Sequence, residues 1–450
     1  MLKISVTNFG PIKRADMAMS RFMVLIGPQS SGKSTLAKLA YFFLQVRDDV
    51  TEFVLAECQS PRRDRKDISL RLTKALRSRF VEFFGPARAL PNTSVTCEYA
   101  SELVLKVTQL RKDHKYVEPQ LAPVLTAQVE TLIEEARRTL DKGREPTALI
   151  SSVGRIASEQ TTRGVVELIR ERCNRIFGYD KELLFVPAGR SILSTLSDQI
   201  QYIHPHLLDY PMRRFVDSVN RTRVFFDKSL DDLVTTKRAL TTDRLHLSAI
   251  RDAKEFVYKI LRGEYRFDKE GGKIFVDSSN FIKINYASSG QQESVWILLS
   301  LFLLVLENAQ ALLTIEEPEA HLFPDAQKDM IEFIAYVYNR IGCDVVITTH
   351  SPYILARINN LIYAHELRKK VGDSVDKIVD AKVQLDPANV GGYFVADGHV
   401  KPLKGRSGPF LRNEMLDGAS EGMNEEMESL LSIEREHGNA GRTGRARAEV

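Results

Sequence analysis

The stretch Gly27-Pro-Gln-Ser-Ser-Gly32-Lys33-Ser34 constrains this chain more than any other. It fits the spacing GxxxxGK[ST], and its flanks are those the spacing requires. Phe22-Met-Val-Leu-Ile26 before it is an unbroken apolar run of buried-strand type, and a helix is expected from Ser34 to about Val46. Glycines in such a turn let backbone N–H groups converge on an anion, and the helix N-terminus adds a positive dipole. Gly27, Ser30, Ser31 and Gly32 are expected to form the cradle and Lys33 to neutralise the outer phosphates. Ser34 would offer a hydroxyl to Mg2+, and Thr35 would reach a further phosphate oxygen. Chance alone yields this spacing in roughly one or two of every hundred chains of this length, but not with this strand and helix around it.

A second signal is Leu312-Leu-Thr-Ile-Glu316-Glu317-Pro318, an apolar strand that delivers carboxylates to its C-terminal end, the edge where parallel sheets bind ligands. Glu316 is expected to hold Mg2+ through water, because that ion dehydrates reluctantly. Glu317 is then placed to orient or deprotonate a water molecule. Val345-Val-Ile-Thr-Thr349-His350-Ser351-Pro352 puts a histidine at the end of the next strand. Strand-end histidines commonly cap or pack, but the order after the acidic strand favours a role at the terminal phosphate. Ser288-Ser289-Gly290-Gln291-Gln292 opens an apolar helix over 291–308 and is either an N-cap or a second anion site. Taken as an anion site, Ser288, Ser289, Gly290 and Gln291 reach the phosphate on Lys33 most simply if a second copy supplies them.

These motifs occur in an order that resembles ABC-type ATPases of the SMC/RecF class. The set includes Asn8-Phe-Gly-Pro11 and Glu316-Glu-Pro-Glu-Ala-His-Leu322, and it is most similar to the ATPase part of the overcoming-lysogenization-defect (OLD) family and related bacterial anti-phage ATPases. The resemblance covers about 1–45, 181–190 and 272–365. It implies an α/β P-loop NTPase head of ABC type, with a mostly parallel sheet flanked by helices and an inserted helical arm. It implies ATP and Mg2+ as cofactors, Glu317 as catalytic carboxylate and His350 as switch histidine. Ser288 and Gly290 of one subunit would cap the γ-phosphate on Lys33 of the other, and Glu319-Ala-His321-Leu322 would cross the dimer interface. Gln29 stands where the P-loop more commonly has Asn, and Ser289 where the signature has Gly. A Q-loop glutamine is not evident; Gln59 is a weak candidate. Arg190, in Leu184-Phe-Val-Pro-Ala-Gly-Arg190, reads either as a phosphate or partner contact or as a structural arginine.

The expected organisation is a head part over 1–47, a helical arm over 48–180, a head strand at 181–190 and an arm return over 191–270. The head resumes over 271–365, a mixed turn-rich region spans 366–435, and 436–450 is a disordered Gly/Arg/Ala tail. Over 291–364 the reading is helix 291–308, strand 311–316, helix 324–341, strand 344–348, helix 351–357 and strand 360–364. The strand-like stretches Ser94–Cys97 and Leu103–Val107 interrupt the arm, and 273–276 with 281–285 reads as a hairpin.

Function classes narrow further. Cys58, Cys97, Cys173 and Cys343 form no CxxC pair, which fits a reducing compartment. The first residues lack a leader pattern, and the apolar run Val295–Leu306 is short of the roughly 20 residues a bilayer requires, so a cytoplasmic protein without a membrane is expected. The 85 or so residues after His365 carry no Asp-x-Asp pair, so a TOPRIM nuclease domain is not expected. His204-Pro-His206 reads as loop chemistry rather than a metal pair. Net charge is only +4, but Arg62–Arg79 holds eight basic and two acidic residues. That stretch is a double-stranded DNA contact, a solvated helix face or a helix that docks on an acidic partner. The expected partners are a second copy or a higher homo-oligomer and a separate effector, nuclease or toxin. A RecF-like DNA-maintenance ATPase and an ATP-gated scaffold with negligible turnover are the alternatives.

Overall fold

In a computed structural model the described residues are 2–60, 67–86, 92–99, 102–109, 117–142, 152–195, 207–241, 246–404 and 410–412. Strands β1 (Lys3–Phe9), β2 (Ile12–Ala18) and β3 (Phe22–Ile26) precede helices α1 (Lys33–Gln59) and α2 (Ile68–Phe84). Then come β4 (Ser94–Glu98), β5 (Val104–Gln109), β6 (Val117–Leu121), α3 (Pro123–Lys142), α4 (Ser152–Phe177) and β7 (Glu182–Val186). Helices α5 (Ser191–Thr195), α6 (Tyr210–Thr222), α7 (Leu230–Leu240) and α8 (Leu247–Leu261) follow. A small antiparallel sheet of β8 (Glu264–Asp268), β9 (Gly271–Phe275) and β10 (Phe281–Lys283) leads to α9 (Ser289–Glu307). The chain continues through β11 (Ala311–Glu316), α10 (Pro324–Ile341), β12 (Asp344–Thr349), α11 (Pro352–Val371), β13 (Val390–Ala396) and β14 (His399–Pro402).

The main sheet has eleven strands in the order β6-β5-β4-β1-β2-β14-β13-β3-β12-β11-β7. Strands β13, β3, β12, β11 and β7 run parallel, whereas β6, β5, β4, β1 and β2 form an antiparallel run. The fold is therefore α/β as expected, but the sheet is mixed rather than mostly parallel. The reason is local: β4, β5 and β6 come from the segment expected as a helical arm, and they extend the N-terminal hairpin instead of leaving the head. Residues alternate across the parallel strands. Met23, Leu25, Leu312 and Val346 join the core under α1, α2 and α3, while Val24, Ile26, Leu313, Ile315, Val345 and Ile347 join the core under α9, α10 and α11.

Three further expectations change. The apolar run at 360–364 is not a strand, because Ile354, Leu355, Ile358, Leu361 and Ile362 are all buried at helical spacing in the single helix α11. The turn-rich region after 366 contributes β13, which lies directly beside β3. A Cβ at Gly392 of this strand would stand 3.1 Å from the Val24 carbonyl oxygen and one at Gly391 2.3 Å from Ser20 Oγ. Glycine here permits close backbone approach within a strand. Helix α9 is long and apolar enough to cross a bilayer by length and composition alone, yet most of it is buried in the core. His204, His206 and the segment 436–450 lie outside the described residues.

Candidate active site

The strand registers assemble the site. Ile26 pairs with Thr349 on one side and Phe394 on the other, and Glu316 pairs with Thr348. The ends of β3, β12 and β11 therefore stand side by side, and the loops that leave them carry Gly27–Ser34, His350 and Glu316–Glu317. Sheet pairing thus converts three separated motifs into one edge.

The phosphate loop is held from two sides. A Cβ at Gly27 would meet the Val395 carbonyl oxygen at 2.1 Å, and one at Gly32 would meet Ile12 Cδ1 at 2.4 Å. Gly32 also adopts φ +103°, which disfavours any side chain, and Ser30 takes φ +58°. Lys33 is buried, and its Nζ donates to the carbonyls of Gly27 at 2.8 Å and Pro28 at 2.7 Å. Desolvation pulls the Lys33 ammonium below its ordinary range, while the Glu317 and Glu319 carboxylates oppose that pull. Ser31 Oγ is buried with no protein partner.

Glu316 is 4% exposed; its Oε2 accepts from the Ala188 amide at 3.0 Å, and its Oε1 has no protein partner. A buried carboxylate oxygen without a protein partner suits a hard divalent cation, which takes oxygen ligands. Ser34 and Glu316 thus fit Mg2+, which would neutralise phosphate charge there. Glu317 sits at φ +44°, with its amide donating to the Thr348 carbonyl at 2.8 Å and its carboxylate partly exposed. His350 Nδ1 lies 3.8 Å from Glu317 Oε1 and 3.7 Å from Glu319 Oε1, beyond hydrogen-bond range for both.

Two buried groups organise this edge: Glu319, expected from its motif at the dimer interface, and Arg190, read from sequence either as a phosphate or partner contact or as a structural arginine. Glu319 accepts from Thr349 Oγ1 at 2.6 Å and from the His350 amide at 3.0 Å, so it ties the turn after β11 to the turn after β12. Arg190 is fully buried, and its guanidinium donates to the carbonyls of Glu293, Pro187, Glu316 and Glu317 at 2.8–2.9 Å. Its Nε is also 3.4 Å from the Glu293 carboxylate. A signal for Glu293 alone existed: it stands two residues before the apolar run Val295–Leu306, and a carboxylate buried there needs a partner.

Ser288 caps α9 in a reciprocal box: its Oγ accepts from the Gln291 amide at 3.3 Å, and Gln291 Oε1 accepts from the Ser288 amide at 3.2 Å. Gln291 Nε2 donates to the Leu261 carbonyl at 2.9 Å, so this side chain is committed to the fold. Ser289 and Gly290 form the first helical residues. Helix α9 belongs to the core on the face of the sheet opposite α1. Gln59 closes the 27-residue α1 that Lys33 opens, about 39 Å away along the helix, and so is not near the site. In α2, Ile68, Leu72, Leu76, Phe80 and Phe83 are buried, and Arg71, Arg77 and Arg79 pair with Glu57, Glu118 and Asp49. The chain's own acids therefore occupy three arginines of the basic stretch; Arg62–Lys66 lie outside the described residues.

Residues 1–355 match the AAA ATPase domain family. The chain belongs to that family. It is an ATPase. No curated protein matches it in sequence. Among solved structures it is similar to the Smc head bound to the C-winged helix domain of ScpA, at 12% identity over 89% of this chain and 95% of that one, with a TM-score of 0.40. The SMC head domain from Thermotoga maritima gives 10% identity over 90% and 98%, with a TM-score of 0.36. The dimeric structure of MJ0796, a bacterial ABC transporter cassette, gives 11% identity over 90% and 100%, with a TM-score of 0.30.

Proposed function

We propose that this ATPase hydrolyses Mg-ATP in a head-to-tail dimer, in which Ser288–Gly290 of one copy close over the triphosphate held by Gly27–Thr35 of the other. The observation that carries this reading is the placement of α1 and α9 in the cores on opposite faces of one sheet. Two helix starts on opposite faces of one sheet are brought to one phosphate chain more simply by a second copy than within a single chain. Within each site Lys33 and the loop amides hold the phosphates, and Ser34 and Glu316 hold the metal. Glu317 orients and deprotonates the attacking water, and His350 contacts the terminal phosphate. The order of the motifs supports a role as ATPase component of an anti-phage system, with nucleotide-driven closure controlling a separate effector.

The test is a pair of variants. Lys33→Ala should lose ATP binding. Glu317→Gln should bind ATP, lose turnover by a factor of about 10²–10⁴, and accumulate as a nucleotide-locked dimer in light scattering. Parental phosphate release by Glu317→Gln would remove Glu317 as the base. A species that stays monomeric with bound ATP would remove the shared site. Turnover stimulated by gapped or ended duplex would point instead to a RecF-like role, and negligible turnover in the parental protein to an ATP-gated scaffold.

A further inference from the structure

The proposed site leaves Arg190 without a task, although few charged side chains among the described residues are so completely enclosed. Its bonds are unusual in their targets. Two go to consecutive peptide carbonyls, those of Glu316 and Glu317, where the chain turns through φ +44° at the residue assigned as base. Another goes to the Glu293 carbonyl in the first turns of α9, and the Glu293 carboxylate both faces the guanidinium and accepts from the Ser191 amide at 3.2 Å. The fourth closes on Pro187, at the end of β7, so that four of the five guanidinium N–H donors go to three separate segments. A peptide held in the left-handed region needs its surroundings to over-determine it. Here the Thr348 carbonyl holds the Glu317 amide, and Arg190 holds the Glu317 carbonyl.

We infer that Arg190 is a positioning residue, which fixes the Glu317 peptide and ties it to the start of α9. Its guanidinium is enclosed among backbone carbonyls, and it acts through the direction in which the Glu317 carboxylate leaves the backbone. Because the same guanidinium grips α9, a displacement of Ser288–Gly290 on contact with phosphate is passed to Glu317 in the same chain. The inference rests on Glu317 being the base, and Glu317→Gln is therefore measured alongside.

Replacing the buried pair by apolar residues of similar size, Arg190→Met with Glu293→Leu, removes the grip without stranding a charge. Expected are a melting temperature within a few degrees of the parent, an ATP affinity within threefold, and a kcat at least tenfold lower. Arg190→Lys keeps a charge opposite Glu293 but has a point ammonium in place of a planar fork, and it should lose kcat to a similar degree. Ser194→Ala is the control: Ser194 also bridges to α9, donating to the Gln292 carbonyl at 2.8 Å and accepting from Trp296 Nε1 at 2.9 Å, but it does not touch Glu317. Its kcat should stay parental. If Glu317→Gln is inactive while the Met/Leu double variant or Arg190→Lys turns over at the parental rate, the positioning role is overturned and the base assignment survives. If Glu317→Gln keeps its turnover, the base assignment itself falls.

Discussion

Replacing Gly290 by alanine asks whether the start of α9 must lie flush against the turn that follows Glu317. A Cβ built on Gly290 would stand 2.8 Å from the His321 carbonyl oxygen and 3.4 Å from Leu322 Cδ2. Ordinary carbon contacts begin near 3.5 Å, so the main chain at His321 has to retreat by roughly half an ångström. Overpacking of this kind costs about 1–3 kcal/mol, while alanine in place of glycine in a helix returns about 0.5–1 kcal/mol. The net destabilisation is about 2.5 kcal/mol at most, which leaves the fold intact. Catalysis is less tolerant, since a displacement near 1 Å can cost about a hundredfold, and half of that about tenfold. Gly290→Ala is expected to melt within a few degrees of the parent, to bind ATP normally through Lys33, and to release phosphate about ten times more slowly. Steady-state phosphate release and calorimetric nucleotide titration on the same preparation measure both. Parental turnover in the variant would show that the close approach at His321 has no bearing on the reaction.

Gly32→Ala combines a φ of +103° with a Cβ 2.4 Å from Ile12 Cδ1, so the loop must open; nucleotide Kd should weaken at least about a hundredfold, some 2.7 kcal/mol, by calorimetry. Unchanged affinity would contradict the cradle. Asp49 on α1 is buried beside Arg79, with Oδ1 accepting from its Nε at 2.9 Å and Oδ2 without a partner. Burial pushes this carboxyl up to about 7 despite Arg79. The native state therefore binds the proton more tightly than the unfolded chain, so this contribution is complete below about pH 4 and is lost as pH rises through 7. Asp49→Asn should show a melting temperature that gains on the parent between pH 5 and 8. A gap that stays constant with pH refutes the burial effect.

Local signals were legible in the sequence, and distant partnerships were not. The run Phe22–Ile26, the glycines after it and the Leu312–Glu317 strand announce themselves within a few residues, because a buried parallel strand is apolar on both faces. Strand β2, Ile12-Lys-Arg-Ala-Asp-Met-Ala18, was hidden because three of its seven residues are charged and one flank is wet. The run at Leu361-Ile362 misled for the opposite reason: a short apolar stretch fits both periods, and only burial at 354, 355, 358, 361 and 362 decides for the helix. Arg190 and Glu293 lie 103 residues apart, and nothing in either neighbourhood names the other. Glu319 was placed in the interface loop by its motif, whereas its bonds to Thr349 and the His350 amide depend on the pairing of β11 with β12.

The pairing of β3 with β13 has a consequence for biosynthesis. A ribosome releases the glycines of the phosphate loop almost at once, but Val395, the wall behind Gly27, emerges only after nearly every other strand of the sheet. Until then the half-made protein has a loop without a backstop. A chain that stops short of Val395 thus holds the loop, the acidic strand and His350 but lacks the neighbour that backs Gly27.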